Sequence, residues 1–73
     1  MTNVPEPIRE MWTDIYKLFD RYYLMDNDYH EWKRFWEEVE GLYQKHGKSN
    51  RVREMAVVVS EIISDRMKAE GKT

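Results

Sequence analysis

The residues best suited to chemistry sit together in DYHEWKRFW, residues 28 to 36, where His30, Glu31 and Arg34 follow the outline of a helical zinc site. Such a site needs two histidines four positions apart, so that both imidazoles reach one metal from the same face while the adjacent glutamate serves as base. Arg34 stands where the second histidine belongs, and a guanidinium does not ligate. The other histidine, His46, lies sixteen residues on, about 24 Å away along a helix. A simpler explanation accounts for the stretch. Asp28 and Glu31 have the spacing of a capping box that opens a helix, with Asp in place of the usual Ser or Thr.

Other sites fail for equally specific reasons. Asp26, Asp28 and Glu37 occupy the first, third and twelfth positions of a calcium loop, but Glu31 fills the sixth, where glycine makes the sharp turn. Ser49, Ser60 and Ser64 lack a strained, glycine-flanked turn to present a nucleophile. Gly41, Gly47 and Gly71 lie too far apart to cradle a phosphate. The chain has no cysteine, which removes disulfides, thiolate metal sites and a cysteine nucleophile together. The expectation is a protein that is not an enzyme, with no cofactor and no metal.

Two features suit binding instead. KHGKSNRVR places Lys45, Lys48, Arg51 and Arg53 on a turn between helices with no acid among them, the outline of a helix-turn-helix. The following helix, however, offers Glu54, Val57, Val58 and Glu61 where base-reading polar residues are wanted. Cations at the end of the preceding helix also complement its dipole. The second feature is a surplus of aromatics, with three Trp, five Tyr and two Phe. Trp12, Tyr16 and Tyr23 carry the apolar arc of the first helix beyond its core centre, Tyr29 and Trp36 extend that shoulder on the second, and Val58 widens the third. Tyr and Trp dominate interface hot spots. They also fill small cores from the edge, and both readings stand at this level.

The elements that position these residues follow from apolar spacing. Ile8, Met11, Trp12, Ile15, Leu18, Phe19 and Tyr22 hold one helical face, with Pro5 and Pro7 in the lead-in, predicting a helix over 7–24. Met25 to Asp28 form a turn. Trp32, Phe35, Trp36, Val39, Leu42 and Tyr43 predict a second helix over 29–46, stopped by Gly47. Ser49 or Asn50 caps a third over 50–70, whose stripe is Val52, Met55, Ala56, Val59, Ile62, Ile63 and Met67. The β-branched run Val57 to Val59 disfavours a helix, but charges on the opposite face and the lack of a strand partner favour it. Connections of roughly four residues make neighbours antiparallel, so the expected fold is an all-α three-helix bundle in a single domain.

The 73 residues carry a net charge of −2, split as −5 over residues 1–40 and +3 over 41–73. That balance excludes a general nucleic-acid coat. A chain this short buries only about 60% of its unfolded surface, so packing or a partner must supply stability. No apolar run is long enough for a bilayer, and MTNVPEPIRE lacks the blocks of a signal peptide, so the cytoplasm is the expected location.

The stretch WTDIYKLFDRYYLMDNDYHEWKRFWEEVEGLYQKHG with the valine-rich helix after it resembles the small helical accessory proteins of phages and other mobile elements of Gram-positive bacteria, a resemblance that covers residues 8 to 66. The resemblance implies a bacterial host and a protein partner, and transfers no residue roles. Proteins of this kind often bind a host or phage protein, and some, such as anti-CRISPR proteins, inhibit bacterial defence. The leading expectation is therefore a protein-protein interaction module, with a homodimer as one of its forms, using Trp12, Tyr16, Tyr23, Tyr29 and Trp36. The alternative is a small nucleic-acid-binding regulator using Lys45, Lys48, Arg51 and Arg53.

Overall fold

The computed structural model describes residues 3–71, and Met1, Thr2, Lys72 and Thr73 lie outside it. Three helices, α1 (Glu6–Tyr22), α2 (Tyr29–Lys45) and α3 (Asn50–Ala69), all pack against one another. The chain runs up, down and up, so α1 and α3 lie side by side in the same direction. Ion pairs from Arg21 to Glu38 and from Asp14 to Lys45 show α2 antiparallel to α1. This is the three-helix bundle that the apolar spacing predicts.

Each terminus has a local cause. Pro5 precedes α1 with extended backbone, and its carbonyl accepts from the N–H groups of Ile8 and Arg9, both at 3.1 Å. Asp28 caps α2, its Oδ1 accepting the His30 N–H at 2.7 Å. The Asp28 N–H goes to the Asp26 carbonyl at 2.9 Å, so the cap is made by the aspartate alone and the reciprocal half expected of Glu31 is supplied by the turn. Past α2, Gly47 adopts φ 72° and Lys48 φ 59°. The Lys48 N–H then reaches the Tyr43 carbonyl at 2.7 Å and the Gly47 N–H the Gln44 carbonyl at 3.2 Å, a Schellman closure. Ser49, rather than Asn50, caps α3 through the Arg51 N–H at 3.3 Å.

The core is one cluster centred on Phe35, Leu18, Val39, Val52, Ile63 and Met67, all at most 2% exposed. Phe35 anchors it, with edge-to-face ring contacts to Tyr22 at 5.6 Å and Trp32 at 5.7 Å. Two expectations need correction. The first helix ends at Tyr22 instead of 24, because the Met25 N–H turns back to the Tyr22 carbonyl at 3.1 Å and the Met25 side chain enters the core. Met25 is therefore a core residue and not merely part of a polar turn. The stripes also narrow toward their edges: Trp12, Trp36 and Ile62, placed on core faces by spacing, remain exposed.

Candidate interaction surface on α1 and α3

The seams that α2 makes with its neighbours are closed by charge. Asp14 of α1 accepts from Lys45 Nζ at 2.8 Å and sits 2.8 Å from Nε2 of His46, whose side chain is only 8% exposed. An ionised carboxylate can only accept, so Nε2 carries the proton. Burial pushes the Asp14 carboxyl up, but hydrogen bonds from Lys45 and His46 and the attraction of those groups outweigh it and hold the carboxyl below its ordinary value. The hydrogen bond to Asp14 in turn holds the Lys45 ammonium above its own ordinary value, with Glu10 contributing from 3.4 Å. Farther along, the Tyr22 hydroxyl donates to Glu38, which also pairs with Arg21. Between α2 and α3, Arg53 grips both oxygens of Glu40 at 2.8 and 3.1 Å and lies 3.8 Å over the Tyr43 ring.

The seam between α1 and α3 is different in kind. Here Trp12, Ile15, Tyr16 and Phe19 face Met55, Val58, Val59 and Ile62 across an apolar groove of about 270 Å³. A second hollow of about 290 Å³ continues it toward the C-terminal end of α1, sharing Tyr16, Phe19 and Ile62 and adding Asp20 and Tyr23. Trp12 is 57% exposed and Tyr16 69%. Phe19 and Tyr23, one turn apart, pack edge to face at 5.3 Å along the floor. None of the ion pairs just described crosses this seam. Its closure comes at one end, where Arg66 donates to the Met25 carbonyl at 2.6 Å, pairs with Glu70 at 3.0 Å and lies 5.6 Å from the Tyr23 ring centre.

The five aromatics picked from sequence thus separate. Trp12, Tyr16 and Tyr23 come together, and the helix that completes their surface is α3, through Val58 and Ile62, instead of α2. Trp36 packs its ring on Phe35 at 4.9 Å, on the flank of α2 shared with Glu40 and Tyr43, which meet Arg53 on the opposite side of α3. Tyr29 is exposed at the start of α2, its ring against His30 at 5.6 Å. Neither lines the groove.

The four cations also separate. Lys45 and Arg53 are engaged by carboxylates within the chain, while Lys48 lies in the left-handed turn and Arg51 opens α3. Among the described residues, no group of three or more His, Cys, Asp or Glu side chains is placed to hold a metal ion, and His30 stands exposed at the helix start. No helix among the described residues is long and apolar enough to cross a membrane.

Spacing alone singled out neither Asp14 nor Arg66, and it weighed His46 only as a metal ligand. A signal existed for Asp14 and His46. Asp14 lies three residues after Met11 and four before Leu18, and His46 four after Leu42, so both border the apolar stripe, where a half-buried polar group needs a partner. Searches against protein-family models, curated proteins and solved structures find no match to this chain.

Proposed function

We infer that the chain is a non-catalytic protein-binding module whose docking surface is the groove between α1 and α3. The observation that carries this reading is the pairing of Trp12 and Tyr16, both more than half exposed, with Val58 and Ile62, themselves 55% and 42% exposed, around one apolar groove. Rigid aromatics beside aliphatic side chains are the composition of an interface hot spot, and a monomer has little reason to leave such a strip wet. The polar groups of the other seams are engaged in holding the bundle, which leaves this face for recognition. The resemblance to accessory proteins of phages and mobile elements, which act by binding host or phage proteins, agrees with a binding role in a bacterial cell.

The nucleic-acid alternative loses support from the same geometry. Two of its four cations are already paired with carboxylates within the chain, and the exposed side of α3 beyond Arg51 presents Glu54, Glu61 and Asp65. Nuclease-treated affinity capture with tagged protein discriminates the two readings. Val58→Arg, at the groove wall, is expected to lose the bound protein, while Lys48→Ala, in the turn outside the groove, retains it. The opposite pattern, with nucleic acid recovered when nuclease is omitted, would overturn the proposal.

A further inference from the structure

We propose that the occupant of the α1/α3 groove is a second copy of this chain, docked antiparallel about a two-fold axis that crosses the groove at the level of Ile15 and Val58. This inference rests on the protein-binding reading above and names the partner. Its basis is the placement of charge along the groove.

At the N-terminal end of the two helices the flanks carry Arg9 and Arg51, and at the C-terminal end Asp20 and Asp65. All four are exposed, and none forms an ion pair among the described residues, unlike Lys45, Arg53, Arg21 and Arg66. Arg9 and Asp20 are eleven residues apart, about 16 Å along α1, with their midpoint between Asp14 and Ile15. Arg51 and Asp65 are fourteen apart, about 21 Å along α3, with their midpoint at Val58. Ile15 and Val58 line the same groove, so both charge pairs are centred on one level of the molecule. A two-fold axis at that level sets the cationic end of each copy against the anionic end of the other, on both helices at once. Parallel docking would oppose like charges at each end.

Glu54 and Glu61 lie farther round α3 and weaken the cationic end while reinforcing the anionic one. With them, and with Lys17 beside Tyr16, the ends stand at +1 (Arg9 and Arg51 against Glu54) and −2 (Asp20, Glu61 and Asp65 against Lys17), still of opposite sign. The apolar strip between is of suitable size. The exposed fractions of Trp12, Tyr16, Tyr23, Val58 and Ile62 amount to roughly 500 Å² per copy, and the charged flanks bring the contact toward the ~800 Å² per partner of a standard interface. Isologous contact suits such a strip, because each copy offers the same apolar centre and complementary ends. It also relieves the small core of a short chain.

The test is sedimentation equilibrium over a dilution series, with circular dichroism confirming that each variant keeps the wild-type helix content. Wild type is expected to sediment as a dimer, and Val58→Arg as a monomer. Arg9→Glu with Arg51→Glu makes both ends anionic, and Asp20→Arg with Asp65→Arg makes both cationic. Each double variant alone is expected to raise the dimer dissociation constant at least about tenfold, and an equimolar mixture of the two to restore dimer as a heterodimer. A wild-type chain that stays monomeric overturns the inference. If such a monomer still captures another protein that Val58→Arg loses, the protein-binding reading stands without it. A dimer indifferent to both charge reversals, or a mixture that fails to recover pairing, overturns the antiparallel arrangement.

Discussion

The two sides of α1 solve the same packing problem differently. Toward α2, polar groups lock together in pairs: Asp14 holds Lys45 and His46, and Glu38 holds Arg21 and Tyr22. Toward α3, the surface is apolar and open, and Arg9, Asp20, Arg51 and Asp65 beside it form no ion pair among the described residues. A side chain satisfied inside the bundle contributes to folding, whereas one left exposed and uncompensated contributes little until something covers it. The contrast therefore divides the aromatic and charged residues into those that make the fold and those free to make contacts beyond it.

Breaking the core should show the largest effect. Phe35→Ala removes the side chain that joins α2 to its neighbours and is expected to lower unfolding stability by about 3–5 kcal/mol, enough to leave much of a small domain unfolded, as followed by urea titration. Trp12→Ala, in the open groove, should change the stability of the isolated monomer by less than about 1 kcal/mol, measured in the Val58→Arg background to exclude association. A large effect of Trp12 in that background would make the groove part of the core and erase the contrast.

Arg66 sharpens it at the closed end. Its side chain is 8% exposed and donates to the Met25 carbonyl, so Arg66→Ala leaves that carbonyl to find water. The expected loss is about 1–3 kcal/mol, with the turn at Met25 gaining hydrogen exchange before the rest of the chain.

The smallest effect concerns acid. Asp14 has a folded-state carboxyl held below its ordinary value of 3.8, so its contribution is fully present above that value and is lost as pH falls through the lowered one. Thermal melts should show wild type more stable than Asp14→Asn at neutral pH, with the gap closing below about pH 4. A gap independent of pH would mean that the Asp14 carboxylate does not titrate as part of this clamp.

Much of this was legible in the sequence, and the remainder had physical reasons to be hidden. The three helices, the Asp28 cap and the Gly47 stop follow from local rules, and the helix ends fall within two residues of the expected 7–24, 29–46 and 50–70. Spacing also gave α1 an apolar arc wider than one contact needs. It does not tell which neighbour lies on which flank, because that depends on the hand of the bundle. Trp12, Tyr16 and Tyr23 therefore joined Val58 and Ile62 instead of Trp36. Met25 entered the core because the turn folds under the helices, a feature no periodicity carries.

The most direct test uses the three tryptophans, which occupy three settings. Trp12 borders the groove, the Trp32 indole donates to Asn27 at 2.9 Å, and Trp36 lies on Phe35 at the far seam. Their indole N–H signals, assigned by single replacement, can be followed by NMR as the protein is diluted. The account predicts that the Trp12 signal moves with concentration while those of Trp32 and Trp36 stay fixed. Movement of Trp36 with Trp12 unchanged, or three signals indifferent to dilution, would contradict the α1/α3 face as the surface on which this chain associates.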